Sequence, residues 1–265
     1  MAFLLRFRQS TLASSGAVYG YAYVGPLICI WTVLMTTLHY IYDPFCGWCY
    51  AAAPLVAAAR SVPHVNIALH GGGMLAGANR RTITVDWREH VMPHDKRIAQ
   101  LTGQPFGEAY FDGLLRDIGA VMDSEQPIAA ILAAEEISGL GLDMLQAAQD
   151  AHYVQGLRIA DPAVLAGLAT ALGIESLAFR EAFDRFAGAA THAHIGESRA
   201  RLANLGGRGF PTFALENTDG QLEPVDIGVW LGHADEWREF LLARSAEINQ
   251  AKLDASASVP PGGQG

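Results

Sequence analysis

The sequence predicts an α/β protein in which a strand–helix–strand unit and a strand–strand–helix unit are separated by a long helical block. Three observations predict it. A short β-branched and aromatic run, Thr37 to Tyr42, passes directly into an alanine-rich helical segment and then into a second alternating run, His64 to Leu69. From about Trp87 to Leu205 the spacing is helical, with little strand signal. After Asn204-Leu205-Gly206-Gly207-Arg208 the strand pattern returns as a hairpin and is followed by one amphipathic helix.

Each element has a local cause. Asp43 and Pro44 read as a helix cap with proline at an early helical position, and Ala51 to Arg60 carries the helix on, with a kink expected at Pro54. Ser61-Val62-Pro63 ends it. Gly71-Gly72-Gly73 stops regular pairing after the second strand and permits close backbone approach. The resulting βαβ unit implies a parallel pair with a right-handed crossover. In the helical block, Asp123 to Pro127 opens a stripe of Ile128, Ile131, Leu132 and Ile137 that ends near Gly139. Asp161-Pro162 opens another, with Val164, Leu165, Leu168 and Leu172 on one face and Gly173 closing it. Phe179, Phe183 and Phe186 in a third helix, Leu177 to Phe186, stack on one stripe and read as core. Phe210 to Glu216 and Gln221 to Ile227 form the hairpin, and Ala234 to Ile248 the last helix. The predicted division is an apolar extension over 1–36, one domain built from 37–86 and 206–250, a helical insertion over 87–205, and a disordered tail rich in small residues over 251–265.

The chemistry is carried by Asp43-Pro44-Phe45-Cys46-Gly47-Trp48-Cys49-Tyr50, where the first strand hands over to helix. Two cysteines separated by two residues at a helix start form a small disulfide ring and leave the first sulfur open to attack another thiol or disulfide. Backbone N–H groups and the positive end of the helix stabilise a thiolate at Cys46, which makes it the attacker. Cys49, one turn further in, is the shielded resolving thiol. A zinc site needs four ligands at short range, and no second cysteine pair stands near the histidines of His90-x-x-x-His94, His192 and His194. No metal is therefore expected. His39 and His70 are the better placed histidines, each near the end of a strand that borders the pair.

With the dithiol after the first strand, the helical block between the two halves and a proline at the start of the third strand, the chain resembles the thioredoxin superfamily. More narrowly it is similar to the DsbA family, and Asp-Pro-x-Cys-x-Trp-Cys is similar to its FrnE-like branch, as are Gly71-Gly72-Gly73 and Gly209-Phe210-Pro211-Thr212-Phe213. The resemblance covers roughly Thr37 to Ile248 and implies a thioredoxin-like fold and thiol–disulfide exchange with protein clients. It implies a cis-proline at Pro211 beside the dithiol, with Phe210 pairing to an extended substrate segment. Gly47, Trp48, Phe210 and Pro211 are thus the expected substrate-binding residues beside the catalytic Cys46 and Cys49. Periplasmic DsbA has a histidine between its cysteines; Trp48 offers an indole N–H and no positive charge. A less depressed Cys46 pKa and a less oxidising couple are expected, and an ionised Asp43 acts in the same direction. Two rival readings share this fold: a glutathione-dependent isomerase or transferase of the 2-hydroxychromene-2-carboxylate and kappa type, which generally carries serine at the first reactive position, and a non-catalytic chaperone.

Composition limits the partners. Of 265 residues 51% are hydrophobic, enough for a large core, and a formal net charge of −9 argues against nucleic acid. Three cysteines, with Cys29 remote from the pair, exclude a scaffold stapled by several disulfides. No resident cofactor is expected, with glutathione a candidate redox partner. No Asp, Glu, Lys or Arg occurs between Arg8 and Asp43, so membrane contact is expected only if residues 9–38 are an anchor. Gly25-Pro26 interrupts that run and Met35 stands just before the first strand, which favours an upstream extension over an anchor or an export signal. A cytoplasmic location follows from that reading; the membrane or periplasm is the alternative.

Overall fold

A computed structural model describes residues 35–257; the expectations for the N-terminal extension, and for residues beyond 257, lie outside the described residues. The central sheet has the order β2-β1-β5-β6. β1 (Thr36–Tyr42) runs parallel to β2 (Val65–Gly71), with Tyr42 paired to Gly71, and antiparallel to β5 (Thr212–Glu216). β6 (Leu222–Val225) closes the other edge as the hairpin partner of β5. Between β1 and β2 lie α1 (Gly47–Ala51) and α2 (Ala53–Arg60).

Alternation along β1 sends its side chains to two different layers. Tyr40 stacks on Phe213, whose ring meets Trp237 edge-on. Trp237 belongs to α9 (Ala234–Ala257), is fully buried, and donates its indole N–H to the Leu55 carbonyl of α2 at 2.9 Å. That bond satisfies the polar atom of a large apolar side chain and ties α9 to α2 beneath the sheet. On the opposite face lie His39 and His70, covered by α8 (Ala189–Asn204).

The helices between β2 and β5 begin with α3 (Val85–Thr102), capped by Thr84, which accepts the Trp87 N–H at 3.1 Å, and ended by Gly103 at φ 73°. α4 (Glu125–Ser138) packs against α5 (Gly141–Tyr153) and α7 (Ser176–Phe186). α6 (Pro162–Ala171) starts as the Asp161-Pro162 pattern requires, with the Asp161 carboxylate accepting the Ala163 N–H at 2.9 Å. Phe179 is buried, in keeping with a core role for the aromatic stripe.

Five details differ from the sequence expectation. Asp43 does not cap the helix; its carboxylate accepts the Phe45 N–H at 2.9 Å inside the preceding turn, and Cys46 holds the N-cap position with extended backbone. The kink becomes a break at Ala52, because Pro54 lacks an N–H and its ring crowds the carbonyl four residues back. The helical block contains a strand: β4 (Val121–Met122) pairs with β3 (Arg81–Thr82), a bridge too short to leave a periodicity. Regular β5 pairing starts at Thr212, since proline at 211 has no N–H to offer a neighbour. Finally, the last helix runs on to Ala257 through residues expected to form a structureless tail; Lys252 there donates to the Met35 carbonyl at 2.9 Å.

Candidate active site

Cys46 is 6% exposed and Cys49 is 0% exposed, and both are free thiols. The break after Ala51 confines the first helix to little more than one turn, so the two sulfurs sit at its start. The Cys46 thiol donates to the Phe210 carbonyl at 3.4 Å, across 164 residues of sequence. The Phe210–Pro211 peptide is cis. Trp48 and Gly47 are partly exposed beside the sulfurs, and Trp48, Phe210 and Pro211 line one groove of about 540 Å³ along β5 and β6. All six expected site residues are therefore gathered in one place.

Cys49 Sγ accepts the Asp43 N–H at 3.4 Å, and its thiol is pushed well up, first by burial and then by its bond to Cys46. A thiol so placed is closed to a client and resists ionisation. Asp43 is fully buried, and its carboxylate also accepts the Met74 N–H at 2.5 Å and the Ser124 hydroxyl at 3.1 Å. Burial pushes its carboxyl up to about 6 despite these bonds and the charge of Arg199. Arg199 of α8 donates to the Gly72 carbonyl at 2.8 Å and to that of Gly73. Asp43 and Arg199 thus hold the triglycine loop from two sides. The Phe210 ring rests on Gly72, leaving no room for a side chain there.

A second cavity, of about 230 Å³, opens on the other side of Trp48. Its wall is α3 with the side chains of Tyr110, His152 and Tyr153. Asp95 is 4% exposed and accepts the Tyr110 hydroxyl at 2.8 Å through Oδ2. Its Oδ1 lies 2.9 Å from where a Cβ on Gly47 would be, so the carboxylate lies close against the dithiol helix. Burial pushes the Asp95 carboxyl up to about 6. A carboxyl raised above its unfolded value near 3.9 binds protons more tightly in the folded state, so it contributes stability below that value and loses it as pH rises through about 6. Asp95→Asn, which can still accept from Tyr110, is expected to lose less stability than the parent between pH 4 and pH 7, by on the order of 1–2 kcal/mol. Urea unfolding at the two pH values measures this; equal losses would refute it.

Sequence reasoning missed Asp95, although the signal was present: Trp87, Val91, Asp95 and Ile98 fall on one helical stripe, and an acid on a buried stripe is out of place. Ser124 and Arg199 carried no comparable signal. His39 and His70 bond to one another, Nδ1 to Nε2 at 2.9 Å; burial pushes His39 down against the pull of Glu216, and pushes His70 down to about 3. Among the described residues no three His, Cys, Asp or Glu side chains are grouped to hold a metal ion.

The DSBA-like thioredoxin domain model matches residues 37–240. The chain belongs to this family. Among solved structures it is similar to the cytosolic disulfide reductase DsbM from Pseudomonas aeruginosa, at 54% identity and TM-score 0.74 over 78% of this chain and 98% of that one. A second structure of that reductase, with GSH, aligns at 53% identity and TM-score 0.73 over the same shares. A structure from Nitrosomonas europaea, at 24% identity and TM-score 0.66 over 80% of this chain and 98% of that one, shares the DSBA-like fold. No curated protein matches the chain. Among the described residues no helix is long and apolar enough to cross a membrane.

Proposed function

We propose that this DSBA-like protein is a thiol–disulfide oxidoreductase that reduces protein disulfides in the cytoplasm, drawing its electrons from glutathione. The observation that carries this reading is the asymmetry of the dithiol. Cys46 faces the Phe210 carbonyl at the edge of an open groove, and Cys49 is sealed beneath it with a thiol that resists ionisation. The Cys46 thiolate attacks a client disulfide bound along Phe210–Pro211, forming a mixed disulfide and releasing one client thiolate. Cys49 then attacks Cys46 Sγ, which frees the second client thiol and leaves the Cys46–Cys49 disulfide. The client gains two electrons and the protein loses two. Glutathione restores the dithiol. The direction and the donor are supported by the likeness to a cytosolic reductase whose structure is also known with GSH.

Electrostatics favour the same direction. Neither Gly47 nor Trp48 places a positive charge next to Cys46, and burial of Cys49 disfavours a dithiolate, so the reduced state lacks the special stabilisation that makes a strong oxidant. Equilibration of the Cys46–Cys49 couple against glutathione is expected to give a potential of about −200 to −270 mV, in the range of glutaredoxins and thioredoxin. A value near −120 mV would mark a disulfide donor and overturn the reductase reading.

A further inference from the structure

α2 and α5 face one another across a third cavity, of about 110 Å³, which none of Cys46, Trp48, Phe210 and Pro211 lines. On α2 its lining residues fall at i, i+3, i+4 and i+7 from Ala53, and on α5 at the same spacings from Leu142, so each helix presents one continuous stripe. Ala53 and Ala57 on the α2 stripe are too short to cross the gap, which leaves the space unfilled. The cavity has a floor and a mouth. Tyr40 and Gln149 are each 1% exposed, with Leu145 and Val56 buried beside them, whereas Ala57, Arg60 and Gln146 are exposed.

The floor holds a group that the fold does not use. The Tyr40 hydroxyl is taken by the Cys49 carbonyl at 3.3 Å, but Gln149 Nε2 is buried and has no hydrogen-bond partner. A methionine in its place would fill the same volume without an unsatisfied donor, so packing does not account for a glutamine. Water does not account for it either. An ordered water needs about two to four polar partners, and the rest of the floor is the Tyr40 ring with Leu145 and Val56. At the mouth Arg60 is paired with Asp143 at 2.7 Å and offers an incoming anion little attraction.

We propose that this cavity is a binding site for a small neutral carbonyl compound, with its oxygen on Gln149 Nε2 and its apolar body between Val56 and Leu145 over the Tyr40 ring. The assignment does not rest on the reductase reading. A donor without a partner at the closed end calls for an acceptor, and apolar walls call for hydrocarbon. A carboxylate would lose its hydration there without gaining a countercharge, because Arg60 is already paired. Size sets the scale. Cavities of about 150 Å³ hold a six-membered ring, and this one, at about 110 Å³ with an open mouth, takes the same ring with one edge in solvent. Through Tyr40 the occupant lies one hydrogen bond from the backbone of the resolving cysteine.

The test titrates cyclohexanone, and cyclohexanecarboxylate as its charged counterpart, into the isotope-labelled reduced protein and follows the amide resonances. Cyclohexanone is expected to move the Gln149 side-chain amide and the Leu145 backbone amide saturably, with a dissociation constant of about a millimolar for so small a ligand. The Thr212 amide, on the client groove, should stay in place. The carboxylate should bind at least about tenfold more weakly. Gln149→Met, which keeps the volume and removes the donor, should weaken cyclohexanone about tenfold, read at the Leu145 amide. Ala57→Leu closes the cavity from an exposed position that tolerates a larger side chain, and should abolish binding while the fold and insulin reduction persist. Shifts that do not saturate, or cyclohexanone that binds Ala57→Leu as it binds the parent, overturn the site. Equal binding of the carboxylate, or equal binding of cyclohexanone to Gln149→Met, overturns the assignment of a neutral carbonyl compound to it.

Discussion

Cys46→Ala is expected to lose at least about a thousandfold in glutathione-driven reduction of insulin, while keeping its fold. The size follows from the absence of a substitute nucleophile. Cys49 has no exposed surface, its Sγ is held by the Asp43 N–H, and its thiol is pushed well above the ordinary range. At neutral pH it presents almost no thiolate, and a client disulfide cannot reach it. Cys49→Ser should behave differently: attack by Cys46 proceeds, resolution does not, and about one equivalent of client accumulates as a mixed disulfide. Intact mass under non-reducing conditions separates the two variants. A Cys46→Ala protein that still forms client adducts would show that the burial of Cys49 does not decide the roles, and the mechanism proposed above would have to be abandoned.

The fold was legible because its signals are local. Thr37 to Tyr42 is a compact apolar run with a redox motif at its end, Asp161-Pro162 starts a helix by a cap that needs only three residues, and Gly139 or Gly173 stops one by a positive φ. The β3–β4 bridge was not legible, since two residues per strand leave no period, and each owes its pairing to the other across about forty residues. The dithiol half of the site was read from spacing alone. The Phe210–Pro211 half came through resemblance, as no local property of those residues says that a carbonyl at 210 will stand 3.4 Å from a sulfur at 46. Asp95 could have been found as a charge on an apolar stripe. Ser124 and Arg199 could not, because their importance arises from what the folded chain puts opposite them, a buried carboxylate and two loop carbonyls.

The triglycine loop turns that tertiary dependence into a sharp prediction. A Cβ on Gly72 would stand 2.1 Å from Cε1 and 2.2 Å from Cζ of Phe210, far inside van der Waals contact. One of the two must move. The loop is pinned, with the Gly72 N–H donating to the Tyr42 carbonyl at 2.7 Å and its own carbonyl held by Arg199 at 2.8 Å. The Phe210 ring is only partly buried and is the softer partner, so it swings away and takes one wall of the client groove with it. Gly72→Ala should therefore cost about 1–3 kcal/mol of stability, the usual range for overpacking. Its larger effect should be on exchange with protein clients, slowed by about tenfold or more, with reduction of the Cys46–Cys49 disulfide by 2-mercaptoethanol much less affected. Gly209→Ala supplies the control, since nothing lies within 4 Å of a Cβ there and its φ is not positive. Insulin turnover of the two variants, read beside their urea midpoints, decides the point. If Gly72→Ala and Gly209→Ala reduce insulin equally fast, the contact between Phe210 and the loop does not shape the groove, and client recognition must be sought on other residues along β5 and β6.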